Sequence, residues 1–441
     1  MLISKFAGEL KNKSILNLCL LFSVILVVPL YASGPFLPDL FLSISVIIFL
    51  VISFKEKLKK FYLNGYSKFF AILFTYMIFR SFFSLNPEVS LQSSLFYFRF
   101  YVFSLAIWYL ISTEPYFKNF LFIILNLTLI FVLLDTLCQY FFGFDFFGFE
   151  SKTHRLSGPF DDELIVGSFI VKILPVLYSV YFLCYSKISK NMICLFILSI
   201  LVVFLSGERT SFFIVCFFSL FFFTFVSLDK KKLTLLLSII LISTSILTVL
   251  IFDKSRFDRM VKFPICAMNL INIDSFQCER NENTYGKYAG DKGRVVIFSE
   301  AHEGHYKSAI KMFLDSPMFG QGIKMYRYLC GDERFVNLRS CTTHPHNTLL
   351  QILAELGFIG FIFLLFVIFK IYQTLFKIIF SKKIIIQNNE KISFIFITVA
   401  IIQTFLIFLP SGQFFNNYLS ILYYFPLGIF LNFHYNHFNG K

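Results

Sequence analysis

Runs of about twenty mostly apolar residues recur along this chain, separated by short loops in which lysine is concentrated. Nothing else in the sequence constrains the fold as strongly, because backbone N–H and C=O groups inside a bilayer must be satisfied within the protein. Twelve segments are candidate spans: 15–32, 36–54, 69–86, 93–112, 118–142, 163–186, 191–206, 210–228, 233–252, 356–380, 391–410 and 415–433. The seventh is short, and the eighth follows it closely. Composition agrees with this reading. The 441 residues are 57% hydrophobic and 15% charged, whereas a soluble domain is about half apolar and a quarter charged. The expected fold is an all-α integral membrane protein with about twelve transmembrane helices. The 65 phenylalanines are expected to face lipid or pack between helices. With a single tryptophan, the interfacial belt must rest on tyrosine. The net charge of +14 could suggest a nucleic-acid partner, but basic flanks of membrane helices account for it better, so none is expected. Lys5, Lys11 and Lys13 precede the first run, but no convincing cleavage site follows, so no cleavable signal peptide is expected.

Orientation follows from the lysines. Lys5, Lys11 and Lys13 precede the first segment; Lys55, Lys57, Lys59, Lys60 and Lys68 follow the second; Lys118 follows the fourth. Lys187 and Lys190 follow the sixth, Lys230, Lys231 and Lys232 the eighth, and Lys382, Lys383 and Lys391 lie between the tenth and eleventh. The intervening short loops hold only Lys152, Arg155 and Arg209. Both termini are therefore expected in the cytoplasm and the long segment 253–346 outside. The expected organisation is a membrane bundle over 1–252, an external loop domain over 253–346 and a second membrane bundle over 347–441. Cys19, Cys138, Cys184, Cys194 and Cys216 fall within apolar segments, while Cys266, Cys278, Cys330 and Cys341 fall in the external loop. An even set in an oxidising compartment suits disulfides. Proximity favours Cys266–Cys278 and Cys330–Cys341, with a zinc site as the competing reading although the spacings are long for one.

Within the loop, the part up to about Gly290 is turn-rich. "GRVVIFSEAHEGHYKSAIKMFLDSP" then reads as a surface helix, with Val295, Val296, Phe298, Ala301, Tyr306, Ala309, Ile310 and Phe313 on one apolar stripe. Ser316-Pro317 stops it, and Gly320 and Gly322 permit a tight backbone beyond. The helix is expected to lie along the membrane surface over the spans. No internal repeat, Walker A or GxGxxG pattern occurs.

"THPHNTLLQILAELGFIG", from Thr343 to Gly360, crowds polar groups at the entry to an apolar run. Thr348 and Gln351 fit a capping box, so a helix can start near Thr348. His344 and His346 then precede its positive N-terminus, which suits an anion and depresses a neighbouring imidazole's pKa. A neutral imidazole there can act as a general base. Gln351 and Glu355 share one face, and a carboxylate at this depth needs a partner or a wet cavity. The alternative is structural: the histidines cap the helix and Glu355 bonds a neighbour. Arginines form the second group: Arg155 and Arg209 in short external loops, Arg294 opening the surface helix, and Arg80 and Arg99 in or near apolar runs. Guanidinium suits phosphate, although Arg155 and Arg209 could equally snorkel at the interface. Asp161, Asp162 and Glu163 read as charges at a helix N-terminus, and mid-span Asp135 as a partner for Arg99.

His346-Asn347, nine residues, Gly357, two residues and Gly360 give H-N-x9-G-x-x-G. This resembles the signature of the bacterial O-antigen ligase family. "SGERTS" around Arg209, and Arg294 followed by the P-x-x-G-x-G of Pro317 to Gly322, resemble further family features; the motif region covers about 205–360. The cysteine-bearing loop departs from the pattern. The resemblance implies a class C type membrane glycosyltransferase of lipopolysaccharide biosynthesis in a bacterial inner membrane, with a periplasmic active site. Donor and acceptor would be a glycan on undecaprenyl diphosphate and a lipid A-core hydroxyl. It implies catalytic roles for His346, Arg209 and Arg294, and substrate contacts from Arg155, Asn347, His344, Gln351 and Glu355. It implies inversion in a single displacement without cofactor or metal, arginines taking the metal's place. An O-antigen polymerase or a protein O-oligosaccharyltransferase would use the same donor; the single large loop favours the ligase. A flippase or secondary transporter is the different-class alternative, but it should show repeats, broken helices and mid-membrane charges.

Overall fold

The computed structural model describes residues 14–151, 155–226, 257–262, 300–337, 340–380, 386–406 and 409–439. Thirteen helices of eight or more residues carry the described fold: α1 (Ile15–Leu26), α2 (Phe36–Lys55), α3 (Gly65–Phe82), α4 (Pro87–Ser94), α5 (Phe98–Thr113), α6 (Phe117–Phe142), α7 (Val166–Cys184), α8 (Lys190–Leu205), α9 (Arg209–Phe225), α10 (Glu300–Asp315), α11 (Thr348–Phe380), α12 (Asn388–Ile402) and α13 (Asn417–His434). No strand occurs among the described residues. The expected span 233–252, Arg294, Cys266 and Cys278 lie outside them.

Among the described residues, five stretches are long and apolar enough to cross a membrane: Phe36–Lys55, Pro87–Thr113, Phe117–Phe142, Val166–Cys184 and Thr348–Phe380. Shorter apolar helices are Ile15–Leu26, Lys190–Leu205 and Arg209–Phe225. Several expected spans prove to be composite. The first stops at Leu26 and continues as a 3-10 turn over Pro29–Ser33, because proline ends a helix just before it. The fourth is divided between α4 and α5. The eleventh stops at Ile402 and runs on as a 3-10 turn, Gln403–Phe405.

The core runs through α5, α7, α12 and α13, whose side chains are buried along most of their length. α13 packs on α5 and α12 on α7. A Cβ at Gly428 would lie 2.5 Å from the Ser104 carbonyl and 2.6 Å from Ile107, so glycine sets how closely α13 meets α5. Ser104 Oγ donates to the Tyr424 carbonyl across the same contact at 2.7 Å. α10 lies against α11, and its buried face differs from the expected apolar stripe. His305, Ser308, Ala309 and Met312 are buried, while Ile310 and Leu314 are exposed. The partners explain this: Ser308 Oγ donates to the Phe335 carbonyl, and His305 meets the Ser340 carbonyl. The inward face answers polar loop backbone rather than oil.

Candidate active site

α11 begins at Thr348, as the sequence suggests, but by a different device. Asn347 is the cap: its Oδ1 accepts from the N–H groups of Leu349 and Leu350, both at 3.1 Å. Gln351 does not turn back to complete a capping box. Its Nε2 donates to Glu355 at 3.1 Å, and its Oε1 accepts the Phe414 N–H at 2.8 Å. Thr348 instead meets Ser411, which takes its N–H and shares a hydroxyl contact, both at 2.8 Å.

Ten residues after Asn347 the helix breaks. Gly357 has φ 65° and ψ −165°, which only glycine adopts readily. The break frees backbone groups, and the segment from Pro317 to Gly322 takes them up. Gln321 and Gly322 donate to the carbonyls of Ala354 and Glu355, both at 2.8 Å; Phe358 and Ile359 donate to Pro317 and Met318 at 2.7 and 3.2 Å. A Cβ at Gly357 would sit 2.5 Å from Gly320 N, and one at Gly320 would sit 2.4 Å from Gly357 N. The two glycine motifs are therefore halves of one backbone joint. At Gly360 an added Cβ would sit 2.3 Å from the Leu356 Cβ of the same helix.

Before this short first section of α11 stands His346, with φ 53°. Its carbonyl is held by the Ser411 N–H at 2.8 Å. Three other imidazoles surround it: His344, His305 and His302 lie 4.1, 5.3 and 5.4 Å away between ring centroids. His302 and His305 were not singled out from sequence, yet their H-x-x-H spacing puts both on one face of α10. His305 Nδ1 faces the Ser340 carbonyl at 2.9 Å. A carbonyl only accepts, so Nδ1 holds the proton and Nε2 is left as the basic nitrogen. Cys330 and Cys341 form a disulfide, which excludes both as zinc ligands and ties the loop before His344 to the turn after Tyr326. Burial, with like charge second, pushes His346 and His302 down to about 4 and His344 to about 3. His305 is lowered too, by burial. The four rings are neutral at pH 7.

The arginines meet at the turn between α8 and α9. Arg209 opens α9, and its charge acts on His302. Arg259, which sequence reading passed over in a run of mixed charge, donates Nε to the Gly207 carbonyl at 2.9 Å. Burial first, then the charges of Arg155 and Arg209, lower it to about 10. Three guanidinium groups thus share one corner. Glu208 lies among them, and its carboxylate spans the first turn of α7: Gly167 N–H donates to Oε1 at 2.7 Å and Ser168 N–H to Oε2 at 3.1 Å. The side chains of Ser168 and Ser211 also donate to Oε2. Burial raises its pKa, and Arg155 and these hydrogen bonds oppose the rise. Glu208 therefore caps α7, the role expected of Asp161, Asp162 and Glu163, which are exposed ahead of it. Arg155 donates to the Leu164 carbonyl.

Other expected groups are braces. Arg80 donates to the Phe319 and Gly320 carbonyls and holds the backbone joint against α3. Arg99 pairs with Asp39 at 2.8 Å and not with Asp135, which accepts the Phe146 N–H at 2.9 Å. Glu355 is wholly buried, taking the Tyr326 N–H at 3.2 Å as well as Gln351.

Neutral imidazoles beside clustered guanidinium groups suit one chemistry: a base that takes a hydroxyl proton next to a seat for an anion. No curated protein matches the chain. Residues 194–365 match the family model described as O-antigen ligase, a stretch that runs from α8 past the break in α11 and holds Arg209, Arg259 and all four histidines. That match supports assigning this helical membrane chain to the O-antigen ligase family.

Proposed function

We propose that this protein transfers a glycan from undecaprenyl diphosphate to a hydroxyl of lipid A-core at the periplasmic face of a bacterial inner membrane. The observation that carries this reading is the adjacency of neutral His346 to the Arg155, Arg209 and Arg259 corner, bridged by His302. The acceptor hydroxyl gives its proton to the His346 imidazole as its oxygen attacks the anomeric carbon. The glycosidic C–O bond to phosphate breaks with its electrons on oxygen, and the diphosphate leaves. The guanidinium groups offset the charge that grows on it, with Arg294 as a further candidate. The donor's negative charge stabilises the protonated imidazole and so strengthens a base that is weak in the empty site. A single displacement inverts the anomeric centre and calls on no cofactor. His344 orients His346, and Asn347, Gln351 and Glu355 hold the loop and helix that carry it. In this reading the chain crosses the membrane about twelve times, with bundles over 1–252 and 347–441 and the external domain over 253–346. The single long polar segment in the sequence favours a ligase over a polymerase.

Deleting the protein in its host and resolving the lipopolysaccharide tests the reading. Loss of all long glycan with lipid-linked chains accumulating is the ligase result, and a core bearing one repeat is the polymerase result. Unchanged glycan contradicts the enzyme assignment.

A further inference from the structure

We infer that the hairpin Gly143–Ser151, which follows α6, is not an aqueous loop but folds back into the bilayer leaflet on the side of the histidine–arginine site, where it contacts the acyl chains of bilayer lipids. The argument begins with depth. Phe146 N–H is bonded to Asp135 Oδ1 at 2.9 Å, and Asp135 lies seven residues before the end of α6, a descent of about 10 Å. Phe131 is a further turn below, and its ring lies 6.2 and 6.1 Å from those of Phe146 and Phe147. The hairpin therefore runs back down the flank of a membrane-length helix. The flank it joins is the outward one: Leu127 is 56% exposed in the bare protein, and Phe146 and Phe147 are 57% and 62% exposed. With Phe141, Phe142 and Phe144, they extend an apolar face that the span presents to lipid.

The hydrogen bonding fits the same setting. Non-helical backbone at membrane depth is tolerated when protein satisfies its polar groups. Here buried side chains do so. Asp145 Oδ1 accepts from Phe147 and Phe149 at 2.9 and 2.7 Å, and Gln139 donates to the Phe149 carbonyl at 3.2 Å. Asp135, Asp145 and Gln139 are each almost wholly inaccessible. The tip, Phe146 to Phe149, exposes no charge and is continuous with α6, while the exposed Glu150 stands at the hairpin's base beside Phe144, so bilayer lipid is the occupant of the tip rather than a protein partner.

Trp108 is the one tryptophan, and it is buried, which gives a direct test in lipid nanodiscs. In a Trp108→Phe background, single tryptophans are placed by Phe147→Trp and, as a second site, Phe144→Trp. Leu127→Trp serves as the lipid-facing reference and Val336→Trp as the aqueous one. Quenching by phosphatidylcholine brominated on its acyl chains should match that of the Leu127 position, with little quenching by iodide. Iodide quenching equal to the Val336 position, without bromolipid quenching, would overturn the inference. So would bromolipid quenching that fails at both hairpin positions while thermal unfolding shows both variants folded.

Discussion

Burial and neighbouring rings hold His346 and His302 near 4 and His344 near 3, well below the ordinary imidazole value of about 6.5. The free-enzyme rate, kcat/KM, should therefore show no inflection near pH 6.5, and its acid limb should fall nearer pH 4. The linkage has a definite sign. Each folded pKa lies below its unfolded value, so the unfolded chain binds more protons between about pH 3 and 6.5. Stability is complete above that window and declines as pH falls through it, which thermal unfolding in detergent at stepped pH will register. His346→Ala should lower kcat by about 10²–10⁴-fold with KM for the donor little changed. The motif histidine was legible from H-N-x9-G-x-x-G. His302 and His305 were not, because α10 was read for its apolar stripe while its buried face is half polar. Arg259 was equally hidden, since its place beside Gly207 is set by tertiary folding and not by any spacing.

At the scale of elements, apolar runs located the helices well, because burial of length and periodicity is local information. Their ends and breaks were less legible. Gly357 was visible as a motif glycine, but the docking of Pro317–Gly322 into the break depends on segments far apart in sequence. The joint makes a clear prediction. Gly357→Ala combines an unfavourable φ with a Cβ 2.5 Å from the Gly320 N and Met318 O atoms, and should cost about 3 kcal/mol or more in thermal unfolding. Gly65→Ala, which meets nothing within 4 Å, should change stability by less than about 1 kcal/mol. Glu208→Ala leaves the Gly167 and Ser168 N–H groups without their acceptor and should destabilise by about 2 kcal/mol or more. An acidic residue before α9 gave no hint that it caps α7. Reducing Cys330–Cys341 opens a short loop, costing about 3 kcal/mol, and should lower the unfolding temperature of wild type but not of a Cys330→Ser, Cys341→Ser variant.

Across the whole molecule, the buried bundle of α5, α7, α12 and α13 supports one polar corner, assembled from α9, α10, the start of α11 and the loop holding Arg155. These pieces come from distant parts of the chain, so the sequence could nominate single residues but not their meeting. In the proposed function, their convergence sets a base beside an anion seat, which is what transfer from a lipid diphosphate to a hydroxyl requires. The most direct test is transfer by the purified protein in nanodiscs, supplied with glycan on undecaprenyl diphosphate and lipid A-core. The account predicts glycosylated lipid A-core of inverted anomeric configuration and stoichiometric undecaprenyl diphosphate, with both lost in His346→Ala and Arg209→Ala. Equal turnover by wild type and His346→Ala, or a product of retained configuration, would contradict it.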